Sequence, residues 1–358
     1  MASAGTDERI ALLLPGLRFG GAERVALTLA EALAAEGFGI DLLLMSRQGE
    51  FLDEAESRFN VIDLRCGRTW KLPWKLAGYL RAHQPTALIS SFWKLNLCAC
   101  IARLAAPRTK LLLWEHSQPS LSANSPTWLY AITASIIYRM ATRIVAVSSG
   151  VRDDIAGITL GLGRKLQVVM NPIRPPADLP DDASRPRDGS RLLWVGRMDG
   201  PKNPQLALEA FALLAARRDA TLTFVGDGDL MPGLRACSHR LGLDDRVSFT
   251  GFHPRPYELM PQADVLVLSS EREGLGNVVV EAMFCGLGIA ATDCGRGVRD
   301  LLMDGRYGTI AAGRDPASLA NAMERELLAS RDPATQMDGA RRFLPDRAAG
   351  KFLDIIRS

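Results

Sequence analysis

Two series of short apolar runs, each alternating with stretches of helical period, constrain this chain more than any other feature. The first reads strand Ile10–Leu14, helix Ala22–Glu36, strand Asp41–Ser46, helix Lys71–His83 and strand Ala87–Ser91. It continues with helix Lys94–Leu104, strand Leu111–Trp114, helix Pro126–Met140, strand Arg143–Val147 and strand Gln167–Met170. The second runs strand Leu192–Val195, helix Pro204–Arg217, strand Thr221–Val225, helix Leu230–Leu241, strand Val247–Thr250 and short helix Pro256–Met260. Strand Val265–Leu268, helix Val278–Cys285, strand Gly288–Ala291 and helices Arg296–Met303 and Pro316–Ser330 follow. Such alternation implies βαβ units and parallel sheets. Between the series lies NPIRPPADLPDDASRPRDGS, Asn171–Ser190, whose Pro, Asp and Arg read as a linker. The expectation is an α/β chain of two doubly wound, Rossmann-like domains facing each other across a cleft. They span 1–171 and 191–344, joined by a linker over 172–190, with a final helix over 345–358 packing back on the first. In such folds ligands bind outside the carboxyl ends of the strands.

The length of 358 residues suits two domains, and 47% hydrophobic with 23% charged residues is ordinary for a globular chain. No apolar run is long enough to span a bilayer, and Met1–Arg9 lacks the basic and apolar regions of a secretory signal. The six cysteines include no CxxC pair, and Cys98 and Cys100 fall on different sides of a helix. A reduced, cytoplasmic protein without a zinc site is expected.

The net charge of +3 hides an asymmetry. Arg65–Arg152 holds twelve Lys or Arg and one acid, Glu115, for +11, while the remainder carries −8. An anionic partner follows. Trp70, Lys71, Trp74, Lys75, Tyr79 and Arg81 interleave cations with aromatics as an interfacial helix does, which points to an anionic membrane surface. The competing reading is a solvated basic face whose tryptophans pack in the core. Nucleic acid is disfavoured, since no helix-turn-helix, zinc-finger or RNP motif is present.

Four segments carry chemistry. In Glu273-Gly-Leu-Gly-Asn-Val-Val-Val-Glu281, Gly274 and Gly276 let the backbone approach a ligand where a strand turns into a helix starting near Asn277. The helix terminus attracts an anion. Acids beside an anion repel it, so Glu273 and Glu281 make better sense as acceptors for sugar hydroxyls. In Val195-Gly196-Arg197-Met-Asp-Gly-Pro-Lys202-Asn, two cations follow a strand end, which suits a diphosphate leaving group. Phe19-Gly20-Gly21-Ala-Glu-Arg opens the first helix without the spacing of a dinucleotide fingerprint, and a tight turn without ligand is an alternative. Trp114-Glu-His116-Ser places a histidine at a strand end, where a structural role is the usual one. Gly226-Asp-Gly228 reads as a turn, and Asp227 and Asp229 make no convincing divalent-metal motif.

In order and spacing these segments resemble the family-4 retaining glycosyltransferases of the GT-B fold, over nearly the whole chain. The acidic segment is similar to that family's E-x7-E motif. The resemblance implies that Glu281 binds the nucleotide ribose, Glu273 the donor sugar, and the amides Leu275 to Val278, with Gly274, Gly276 and Asn277, the diphosphate. It implies that Arg197 and Lys202, after Gly196, neutralise the leaving diphosphate. It implies further that Gly20 and Gly21 approach the donor phosphates, that His116 positions the sugar, and that Gly251, Phe252 and His253 lie near the base. A sugar would then pass from a nucleotide-diphosphate donor, uridine by family habit, to a glycan or a polyprenyl-diphosphate-linked acceptor. Configuration would be retained, with no metal and no cofactor, on the inner face of the cell membrane. A nucleotide-sugar 2-epimerase, an NAD-dependent oxidoreductase and a non-catalytic sugar-binding protein are the rival readings.

Overall fold

The computed structural model describes residues 8–121, 126–176, 190–329 and 331–358. Residues 177–189 of the expected linker, and Ser330, lie outside them. The chain divides into two compact units, Met1–Ile173 with Pro345–Ser358, and Arg174–Leu344.

The first unit runs β1 (Arg9–Leu14), α1 (Gly21–Ala35), β2 (Gly39–Leu44), α2 (Leu52–Glu56), β3 (Asn60–Asp63), α3 (Leu72–His83) and β4 (Ala87–Ser91). Then come α4 (Trp93–Arg103), β5 (Lys110–Glu115), α5 (Thr127–Ile137), β6 (Arg143–Ala146), α6 (Ser149–Ile158) and β7 (Leu166–Val168). Its parallel strands stand in the order β3-β2-β1-β4-β5-β6-β7. The central strands are buried on both faces and read as continuous apolar runs, such as LLL in β2 and β5. Register corrects two strand positions. Gly39 pairs with Arg9 and Leu166 with Ile144, so β2 and β7 begin before the expected Asp41 and Gln167.

The second unit runs β8 (Arg191–Val195), α7 (Pro204–Ala215), β9 (Thr221–Val225), α8 (Met231–Arg240), β10 (Val247–Gly251), β11 (Val265–Leu268) and α9 (Asn277–Phe284). It ends with β12 (Gly288–Ala291), α10 (Arg296–Leu302), β13 (Thr309–Ile310), α11 (Pro316–Ala329) and α12 (Pro333–Ala340). The strand order is β10-β9-β8-β11-β12-β13. Trp194, Phe211, Phe224 and Met323 fill its core. The last helix, α13 (Pro345–Arg357), belongs to the first unit. It packs on α1 and sets Phe352 edge-on to Trp114, ring centroids 5.2 Å apart.

Around α3 the interfacial reading needs a correction. A 3-10 turn at Thr69–Lys71 precedes the helix. Trp70 and Trp74 are 63% and 77% exposed, so they do not pack in the core. Tyr79 does, because its hydroxyl donates to the buried Asp41 at 2.5 Å. Asp41 also accepts from Arg9 and from Asn60, so one buried carboxylate ties β1, β3 and α3 to β2.

Candidate functional site

In the second unit the strand order reverses at β8, whose neighbours are β9 and β11. Loops leaving β8 and β11 therefore diverge at their carboxyl ends, the place where doubly wound sheets bind ligands. Arg197, Lys202, Glu273 and the start of α9 all lie on these two loops. Asp199 caps the 3-10 turn Gly200–Lys202 by accepting from the Lys202 amide. Asn203, at φ +46°, then caps α7. The turn aims the Lys202 ammonium at Glu273, and Nζ donates to Oε1 over 2.6 Å. Ser270 Oγ donates to the same oxygen at 2.7 Å, while Thr292 Oγ1 donates to the Ser270 carbonyl. The loops after β8 and β11 are thereby fixed to each other at one carboxylate, through residues 71 apart in sequence. Arg197 is 77% exposed at its side chain and pairs with Asp199 at 2.5 Å.

Gly276, at φ +90°, precedes α9 and brings no side-chain cap. That backbone conformation suits glycine. The segment Gly274–Val278 thus bends sharply beside Glu273, and Glu281 lies in the second turn of α9. Burial pushes the Cys294 thiol up to about 12, and the charge of Glu273 adds to this. Cys294 is accordingly a neutral packing group. Gly251 ends β10 at φ +76°, Phe252 is exposed, and His253 Nδ1 accepts from the Arg255 amide. These three stand at the end of β10, two strands away from β8.

In the first unit the order reverses at β1, between β2 and β4. Gly20 and Gly21 open α1 after β1, and a Cβ on Gly20 would lie 2.2 Å from Glu23 Oε2. The Glu23 carboxyl therefore folds back over the helix start, and burial raises its pKa against the pull of its own amide. His116 follows β5. Its Nε2 lies 3.4 Å from Ser91 Oγ, and its ring lies tilted against Trp114 with centroids 4.6 Å apart. Burial lowers its pKa to about 4, so the ring is neutral at pH 7. Next to Ser91, Phe92 adopts φ +72°, a strained conformation for a bulky residue. Glu115 is fully enclosed and accepts from Asn96 Nδ2 at 2.9 Å and Tyr138 Oη at 2.5 Å. Burial raises its pKa while these donors lower it. Among the described residues no three His, Cys, Asp or Glu side chains gather as a cation site.

Residues 19–175 match the family model described as Glycosyltransferase Family 4, and residues 189–329 match that described as Glycosyl transferases group 1. The chain belongs to the family-4 glycosyltransferases. It is 27% identical to a Campylobacter jejuni N-acetylgalactosamine-N,N'-diacetylbacillosaminyl-diphospho-undecaprenol 4-alpha-N-acetylgalactosaminyltransferase, over 85% of this chain and 86% of that one. A second Campylobacter jejuni protein is 26% identical over 88% of each chain, and is described as an alpha-1,4-N-acetyl-D-galactosaminyltransferase acting on GalNAc-alpha-(1->4)-GalNAc-alpha-(1->3)-diNAcBac-PP-undecaprenol. The solved structure of Anabaena Alr3699/HepE in complex with UDP superposes with a TM-score of 0.82 at 22% identity, over 98% of this chain and 99% of that. The lipopolysaccharide outer core galactosyltransferase WaaB superposes at 0.77 with 20% identity, over 98% and 99%. The fold of the glycosyltransferase is GT-B.

Sequence reasoning missed several partners in this glycosyltransferase. Asp199 was legible as an acid three residues before Lys202, the spacing of a cap. Ser91 is the last residue of β4 and Ser270 the second residue after β11, and nothing in their local pattern marks them. The role of Glu23 required knowing that the α1 start folds back on itself.

Proposed function

We propose that this glycosyltransferase moves a sugar from a UDP-sugar to a polyprenyl-diphosphate-linked glycan, with retention and without a metal, at a membrane surface. The observation that carries the donor part is the Lys202–Glu273 pair at the switch point of the second unit, beside the uncapped start of α9. A nucleoside diphosphate there meets the cations Arg197 and Lys202 and the helix dipole. Glu273 and Glu281 accept from sugar and ribose hydroxyls, and Gly251, Phe252 and His253 border the base. In the reaction the bond from C1 to the diphosphate oxygen breaks as the acceptor oxygen bonds to C1 on the same face. The acceptor proton passes to the diphosphate. Neutral His116 positions the sugar by hydrogen bonding, and Gly20 and Gly21 approach the phosphates.

The lipid-linked acceptor is supported by the names of both Campylobacter relatives, and the uracil base by the UDP-bound neighbour. N-acetylgalactosamine is the sugar the relatives favour. The surface location rests on the exposed Trp70 and Trp74 with Lys71, Lys75 and Arg81 on and beside α3.

Thermal unfolding with UDP, GDP, ADP and NAD, each in EDTA, tests the donor. A ligand at about a hundred times its dissociation constant adds about 2.7 kcal/mol. Stabilisation by UDP alone is expected; stabilisation by NAD alone overturns the reading. With a lipid-linked acceptor, Arg197→Ala and Lys202→Ala should each lower turnover about a hundred- to a thousandfold. A loss below about threefold removes those residues from the mechanism.

A further inference from the structure

On the first unit, at the amino ends of β5 and β6, lies a pocket of about 420 Å³. It is therefore at the opposite edge of the sheet from His116, which follows the carboxyl end of β5. Arg103, Arg108, Lys110, Arg139, Arg143 and Lys165 line it, with no carboxylate among the lining residues. Backbone carbonyls hold several of these cations in place. Arg103 donates to Met140 and Thr109, Lys165 to Arg139 and Ala141, and Arg143 to Thr142. Carbonyls orient a cation without cancelling its charge. The Nε of Arg143 is buried with no hydrogen-bond partner. Burial, then the charges of Arg103 and Arg143, lowers the Lys165 pKa, as expected of cations crowded without a counterion.

A second observation sits beside it. Along α5, Trp128, Ile132 and Ile136 are 65%, 53% and 66% exposed. Their spacing of four puts them on one face of the helix. That face leads directly to Arg139, whose guanidinium reaches the carbonyls of Ser135 and the exposed Leu160. Helix α5 packs on α4 and α4 on α3, so this stripe belongs to the same helical layer as Trp70 and Trp74. An exposed apolar stripe ending in a cluster of uncompensated cations has the chemistry of a surface that lies in a head-group layer.

We propose that the six-cation pocket takes the phosphate of an anionic phospholipid while the α5 stripe rests in the acyl boundary beside it. The inference deepens the membrane-surface part of the proposed function by moving the main contact from α3 to α5 and the pocket. A free phosphate would satisfy the cations, but not the stripe.

The test is co-sedimentation of the full chain with vesicles of phosphatidylcholine, with and without phosphatidylglycerol. Arg108, Ile132 and Ile136 are exposed, so replacing them leaves the core intact, which unchanged thermal unfolding verifies. Arg108→Glu should weaken binding to the anionic vesicles roughly fivefold or more, with the difference fading in high salt. Ile132→Asn with Ile136→Asn should weaken it at every salt concentration. If both bind like wild type while Trp70→Ser with Trp74→Ser abolishes binding, docking is by α3 and the proposal fails. It also fails if inorganic pyrophosphate stabilises the wild type but not Arg108→Glu and no vesicle is bound, since the pocket then serves a soluble anion. The vesicles carry neither donor nor acceptor, so either failure leaves the transfer reaction standing.

Discussion

At the scale of single residues, Glu115 and His116 are neighbours with opposite titration. Glu115 is enclosed with its pKa raised above 4.5, and His116 is held down at about 4 from 6.5. The raised carboxyl binds its proton more tightly folded than unfolded. Its contribution is present at low pH and lost as pH rises through the folded value. The lowered imidazole works the other way: its contribution is present above 6.5 and lost as pH falls toward 4. In the wild type the two partly offset each other on acidification. Glu115→Gln keeps an acceptor for Asn96 and Tyr138 and removes the buried charge. The variant should melt higher than wild type near pH 8, with the gap closing as the pH drops. A gap independent of pH would mean that Glu115 titrates normally. Transfer should show no inflection from His116 between pH 5 and 8, because the ring is already neutral there. Glu115 shows why this layer resisted reading from sequence. It was visible as the lone acid in a basic stretch, but its donors lie 19 and 23 residues away on other elements, at spacings that follow only from the sheet order.

At the scale of elements, the turns after β8 and β9 are stacked, and two glycines make that possible. A Cβ on Gly226, at φ +135°, would lie 1.9 Å from the carbonyl oxygen of Gly196, the residue just before Arg197. Gly226→Ala should destabilise the protein by about 1–3 kcal/mol and lower turnover, because the loop that carries Arg197 must shift. Gly233→Ala in α8 is the control: open space surrounds it. It should stabilise the helix by about 0.5–1 kcal/mol and leave turnover unchanged. Equal effects at both sites would rule out the stacking argument. The pair Gly226–Gly228 reads from sequence as a turn without direct chemistry, and its support of Gly196 and Met198 is a tertiary fact. Elements with strong period or a clear strand run, such as α1, α7, β4 and β11, were legible. The missed ones have physical reasons. β3 is four residues, Asn-Val-Ile-Asp, at the sheet edge, and β13 is two residues long. Helix α6 carries its signal in the Ser148 cap more than in apolar content.

At the scale of the whole chain, the last helix decides where stability resides. Helix α13 buries Phe352, Leu353, Ile355 and Ile356, along with Ala348 and Ala349. All of them lie in the first unit, although the second unit separates them in sequence from Ile173. Each large apolar side chain contributes about 1.5–3 kcal/mol on burial, so α13 as a whole supplies a share comparable to the stability of an ordinary domain. On the proposed role of His116, Phe352 is the α13 residue that bears on the chemistry, since it packs on Trp114, and Trp114 packs on His116. Phe352→Ala in the full chain should cost about 3–5 kcal/mol. Calorimetry should show this as a fall in the transition of the first unit alone, with the transition stabilised by UDP left in place. Turnover should fall as well, because the indole that supports His116 loses its edge-on partner. If both transitions fall together, the two units unfold as one and the assignment of α13 to the first unit carries no separate energetic meaning. If only the first falls and turnover is unchanged, the packing beneath His116 is structural and the ring does not depend on it for position.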